Sequence, residues 1–138
     1  MRVGILPAPG SGLRTMAAAG QIGRLNRHLQ GYLDAGHAPS YLSSLPDDLD
    51  CIVPVHRPRR RLGVRSALLQ PFREPRVFRD CDVFRGMNLL SSLSAITARA
   101  AFGIPFVFSH GADYEAIARL HGRTVWKWRW LRHLAFRL

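Results

Sequence analysis

The stretch "DVFRGMNLLSSLSAITARAAFGIPFVFSHG", Asp82 to Gly111, decides the fold class. Its first residues, "DVFRG" (Asp82 to Gly86), read as a short strand. Asn88 is suited to cap a helix, and Leu90, Leu93, Ile96 and Ala100 then recur at helical spacing, with Gly103 placed to end it. "IPFVFS", Ile104 to Ser109, is an apolar run short enough to be a second, buried strand. Two strands separated by one helix require a crossover connection, and a crossover makes the pair parallel.

The same rhythm extends toward the amino terminus. Val3 to Leu6 is an apolar run closed by "PAPGSG", as expected of a buried strand that enters a Gly/Pro loop. From Thr15, the residues Ala18, Ile22, Leu25, Leu29, Tyr32 and Leu33 predict one amphipathic helix that ends near Ala35, with Gly36 as its stop. Arg24, Arg27 and His28 fall on its polar side. "PSYLSS" (Pro39 to Ser44) and "CIVPVH" (Cys51 to His56) predict a second and third strand, and Arg57 to Asp80 reads as a basic loop followed by a helical stretch interrupted at Pro71 and Pro75. The expected fold class is α/β, a Rossmann-like parallel β-sheet with helices on both faces. Residues 1–138 form one domain with no internal repeat. In such sheets ligands bind beyond the carboxyl ends of the strands, so the loops of interest are Pro7 to Arg14, Arg85 to Asn88 and His110 to Tyr114.

Composition narrows the partners. The chain has 138 residues and is 47% hydrophobic, enough for a packed core. Its 20 Lys plus Arg against 9 Asp plus Glu give a net charge of +11, and Lys127 is the single lysine. Arginine in that excess favours phosphate, carboxylate or anionic lipid as neighbours. Cys51 and Cys81 sit beside predicted strands without metal-ligand spacing and read as free thiols of a reducing compartment; no metal site is expected. No apolar run approaches the ~18 residues of a spanning helix, and Met1 to Pro7 lacks a signal-peptide core. The expectation is a cytoplasmic protein with a peripheral place at the inner face of the membrane.

In the first loop, Gly10 and Gly12 stand between a strand and a helix, where free backbone N–H groups can hold an anion; a tight turn that needs glycine is the alternative. Thr15 stands where G-x-G-x-x-G would have its third glycine, and there is no Walker lysine. At the end of the last strand, His110 would bring an imidazole to the sheet's carboxyl edge, able to donate to a substrate hydroxyl or phosphate, with Gly111 permitting close approach. A structural histidine is the competing reading. Asp113 could orient that imidazole or bind a polyol, or else cap the helix beginning "YEAIARL".

Taken together, "QGYLDAGHAPSYLSS" (Gln30 to Ser44) and "DVFRGMNLLSSLSAITARAAFGIPFVFSHGADY" (Asp82 to Tyr114) resemble the amino-terminal domain of family-4 glycosyltransferases, enzymes of the GT-B fold in which two Rossmann-like domains face a cleft. The resemblance covers nearly the whole chain. It implies transfer of a sugar from a nucleotide-sugar donor to a sugar or lipid-linked acceptor, with retention at the anomeric carbon, no metal and no cofactor. Carried over by position, Gly10 and Gly12 match the loop near the donor diphosphate, His110 with Gly111 matches the histidine motif at the cleft, Asp113 falls where a polar residue faces the substrate, and Asn88 lies on the acceptor side. Where the family often has a histidine, this chain has "RGMN". The family's carboxyl-terminal, donor-binding domain is not in this sequence, and the expectation is an acceptor-side half that is inactive alone, either a piece of a longer enzyme or a subunit that finds its other half on a second chain.

The tail "TVWKWRWLRHLAFRL", Thr124 to Leu138, is cationic, rich in tryptophan and without an acidic residue. Helical spacing puts Trp126, Trp130, Leu131, Leu134 and Ala135 on one broad arc, with Arg129, Arg132 and His133 opposite. Three readings stand side by side: a helix that packs on the domain's core, a membrane-surface helix using Trp126, Lys127, Arg129, Trp130 and Arg132, and, ranked last, a nucleic-acid arm. A non-enzymatic basic module that docks on anionic membrane or nucleic acid is the corresponding functional alternative.

Overall fold

The structure, a computed structural model, describes residues 1–108 together with Trp126, Arg129, Trp130 and His133. Five strands form one sheet: β1 (Arg2–Leu6), β2 (Ala38–Leu42), β3 (Val55–His56), β4 (Val83–Gly86) and β5 (Phe106–Phe108). Every pairing is parallel and the spatial order is β3-β2-β1-β4-β5. The chain therefore moves outward from β1 to β3, returns past β1, and continues through β4 and β5. This is the α/β, Rossmann-like sheet that the sequence predicts, with helices on both faces.

Successive strand residues face opposite layers, which divides the core in two. On one face Val3, Ile5 and Tyr41 pack under α2 (Ile22–Asp34) through Leu25 and Leu29. On the other, Leu6, Leu42 and Phe84 pack against α4 (Pro75–Arg79) through Phe78 and against α5 (Ser92–Phe102) through Ala95 and Ala98. Leu29 and Phe84 are fully buried, and each such side chain stabilises the fold by about 2 kcal/mol.

The predicted first helix is in fact two. α1 (Leu13–Ala18) ends where Gly20 takes φ +67°, the N–H of Gly20 bonding to the carbonyl of Ala17 and that of Gln21 to Met16. This is a Schellman stop, and α2 begins directly after it. The same device ends α2 at Gly36, as predicted, with His37 N–H on the Tyr32 carbonyl. The third strand is shorter than "CIVPVH" suggests, because only Val55 and His56 join the ladder, opposite Tyr41 and Leu42. β5 likewise keeps Phe106 to Phe108 of the longer apolar run.

Pro71 does not interrupt its helix. α3 (Val64–Arg73) passes through it, and the carbonyl of Ala67, four residues earlier, accepts from the Ser94 hydroxyl of α5 at 2.9 Å. A proline leaves that carbonyl without its helical donor, so here the vacancy becomes a contact that docks α3 on α5. At Pro75 the predicted break is present: α3 ends at Arg73, Glu74 stands between the helices, and Pro75 opens α4 at the first helical position, where a missing N–H costs nothing.

Candidate functional site

The sheet order reverses between β1 and β4, so the loops that leave these two strands run apart and open a crevice at their carboxyl ends. A cavity of about 290 Å³ lies there, bounded by Pro7 and Ser11 after β1, Thr15 on α1, Gln21 before α2, and Asn88 after β4.

The β1 side of the crevice is held by a residue that the sequence reading passed over. Asp48 is only 7% exposed and its carboxylate accepts four hydrogen bonds: from the backbone N–H of Leu13 (2.8 Å), Arg14 (2.8 Å) and Leu49 (3.0 Å), and from the Ser43 hydroxyl. It therefore caps α1 from a distance in sequence. A Cβ on Gly12 would stand 2.2 Å from Asp48 Oδ2, so glycine is what admits the carboxylate. Burial would raise this carboxyl, but the bonds from Ser43, Arg14, Leu13 and Leu49 outweigh it and hold the group below its ordinary value. The N–H groups that a phosphate would use at this helix start are already taken by a carboxylate of the chain itself.

Gly10 turns the same loop at φ +77°, and its carbonyl accepts from Arg61 Nη2 at 3.2 Å. Arg57 acts similarly, donating to the carbonyls of Asp48 (3.0 Å) and Leu49 (3.1 Å) and pairing with Asp50. Two cations of the basic stretch thus serve as hooks for neighbouring loops.

On the β4 side the control is local. The Asn88 side-chain oxygen accepts from Ser91 N–H at 3.0 Å while Ser91 Oγ accepts from Asn88 N–H at 3.1 Å, a reciprocal box that starts the 3-10 turn Leu89–Ser91 leading into α5. Asn88 is therefore a helix cap that also lines the crevice.

A second, larger hollow of about 550 Å³ continues from the crevice past the shared residues Met16, Gln21 and Met87. Arg24, Arg27 and His28 of α2 form one side of it and Arg85 of β4 contributes to the other. Burial lowers the His28 imidazole from its ordinary value, with Arg85 and Arg24 adding to the effect.

Of the residues singled out in sequence, Gly10, Gly12 and Asn88 come together around the switch point. His110, Gly111, Asp113, Lys127 and Arg132 lie outside the described residues. Trp126, Arg129 and Trp130 are helical and exposed, the two tryptophans at 64% and 61%. Burial pushes the Cys81 thiol up to about 11 and raises Cys51 as well, which suits inert thiols rather than nucleophiles. Among the described residues no group of His, Cys, Asp and Glu could hold a metal ion, and no helix is long and apolar enough to cross a membrane. No family model, curated protein or solved structure matches the chain.

Proposed function

We propose that the chain is the acceptor-side half of a retaining, nucleotide-sugar-dependent glycosyltransferase, acting together with a donor-binding domain. The observation that carries this reading is the lining of the switch-point crevice. Ser11, Thr15, Gln21 and Asn88 offer neutral hydroxyl and amide groups between small or apolar walls, a lining suited to a hydroxylated ligand. Its volume sits at the lower end of ligand pockets, roughly 300 Å³, which favours a small sugar unit over a whole nucleotide-sugar. With Asp48 on the α1 amides, the donor diphosphate is assigned to the partner domain rather than to Gly10 and Gly12. Catalysis then requires both halves, because positioning two substrates contributes several kcal/mol of barrier reduction.

The test has two parts: turnover of radiolabelled nucleotide-sugars by the purified chain, expected at background, and amide chemical shifts during titration with simple methyl glycosides. At least one glycoside should move the signals of Ser11, Gln21 and Asn88. Turnover by the chain alone, or silence of those signals with every sugar, would overturn the proposal.

One observation favours a second role for the tail. Trp126 and Trp130 stand four positions apart, both helical and both exposed, as residues of a helix lying in a lipid headgroup layer are. Co-sedimentation with anionic but not neutral vesicles is expected, weakened by Trp126→Ala with Trp130→Ala at unchanged thermal stability. Equal sedimentation with both vesicle types would end this reading.

A further inference from the structure

The hollow beside the crevice has a chemistry of its own. α3, α4 and α5 lie on the opposite face of the sheet, and α2 covers β1 and β2 on this one. Among the described residues the outer strands are left bare here: Val107 of β5, which pairs in register with Arg85, is 54% exposed. The basic side of an amphipathic helix would ordinarily face open solvent. Here Arg24, Arg27 and His28, although exposed, also border a concave space lined by the apolar Met16, Leu25 and Met87.

Among the described residues no acidic side chain lines that space, and none of their ion pairs involves Arg24 or Arg27. The acids nearest in sequence to β4, Asp80 and Asp82, sit at the sheet's amino edge, where Arg2 engages both, at 2.6 and 2.9 Å. Arg24 and Arg27, two like charges on one side of a hollow, repel one another, and a dianion placed between them relieves that repulsion while receiving charge-assisted hydrogen bonds.

We propose that this groove is a phosphate-binding site, with Arg24 and Arg27 as the principal ligands and His28 at its rim, for a ligand whose phosphate is joined to an apolar stem lying on Met16, Leu25 and Met87. The groove adjoins the crevice and shares Met16 and Met87 with it, but its phosphate ligands Arg24 and Arg27 stand outside the crevice lining, so the assignment does not rest on sugar binding there. Guanidinium groups suit the phosphate oxygens, since each can donate two parallel N–H bonds. The lowered imidazole of His28 fits the same picture, because the groups that face it are the cations Arg24 and Arg85, with the Tyr32 ring edge-on at 5.3 Å. A bound phosphate would reverse the sign of that environment and raise the imidazole.

Isothermal titration of the full chain with inorganic phosphate, pyrophosphate and butyl phosphate tests the assignment. Pyrophosphate should bind, and butyl phosphate should bind more tightly than inorganic phosphate by several-fold through burial of its stem. Arg24→Ala with Arg27→Ala should weaken pyrophosphate binding at least tenfold. The control is Arg76→Ala with Arg99→Ala, which removes the same charge from helices on the opposite face and should change affinity less than twofold. In parallel, the His28 imidazole should titrate at higher pH when pyrophosphate is bound. Equal losses in both double variants would reduce the effect to net charge and overturn the site. Absence of pyrophosphate binding, a His28 titration indifferent to the ligand, or butyl phosphate binding no better than phosphate would overturn it equally.

Discussion

The two loops that flank the crevice are built on opposite plans. The loop after β4 is organised by residues three apart, Asn88 and Ser91, which satisfy each other's backbone N–H groups. The loop after β1 is organised from elsewhere: Asp48 reaches Leu13 across 35 positions, the Ser44 hydroxyl donates to the Ala8 carbonyl across 36, and Arg61 reaches the Gly10 carbonyl across 51. A local cap stabilises one helix start and little else. A long-range cap also fixes how the β2–β3 connection sits on the first loop, so removing it should be felt in both segments.

The difference can be broken most decisively at Asp48. Asp48→Ala leaves the Leu13, Arg14 and Leu49 amides and the Ser43 hydroxyl without their acceptor. Stranded buried donors cost about 1–3 kcal/mol each, less where water can enter, so a loss of about 3–4 kcal/mol is expected. Thermal melts should show a fall of at least ~10 °C. Gly12→Ala displaces the same carboxylate, so the two changes together should cost much less than the sum of each alone. Additive effects would mean that Gly12 serves something other than Asp48. Acid should act on the same bonds. The folded Asp48 carboxyl lies below its unfolded value, so its contribution is complete above about pH 4 and is lost as pH falls through the lowered folded value. Asp48→Asn should flatten that part of the acid limb.

The β4 loop should respond more weakly. Asn88→Ala removes one side-chain cap and should cost about 1 kcal/mol, with Asn88→Ser recovering most of it. A loss as large as that of Asp48→Ala, measured by denaturant unfolding, would erase the contrast between the two loops.

This contrast also explains what could be read in advance. Asn88, Gly36 and Gly103 announce themselves because a cap or a stop acts within a few residues of its own helix. The stop at Gly20 was within reach: "AAAG" followed by Gln21 is a helix end, but the apolar spacing that continues through Ile22 and Leu25 masked it. Pro71 looked like a break because its remedy, the Ser94 hydroxyl, lies on another helix. Asp48 looked like one acid in "PDDLD", and nothing local distinguishes it from Asp47 or Asp50. Arg24, Arg27 and His28 were legible as the polar side of a helix. Only the outer strands of the sheet, left bare among the described residues, turn that side into the wall of a groove.

The Asp48 clasp also carries a consequence for the order in which the chain comes into being. A polypeptide is made from its amino terminus, and its parts can organise as they appear. α1 is complete in sequence at Ala18, yet the carboxylate that closes its first turn does not exist until residue 48 has been added, and Arg61, which ties down Gly10, arrives later still. The first helix of this protein therefore waits on its own future, whereas the start of α5 can close within three residues of being made.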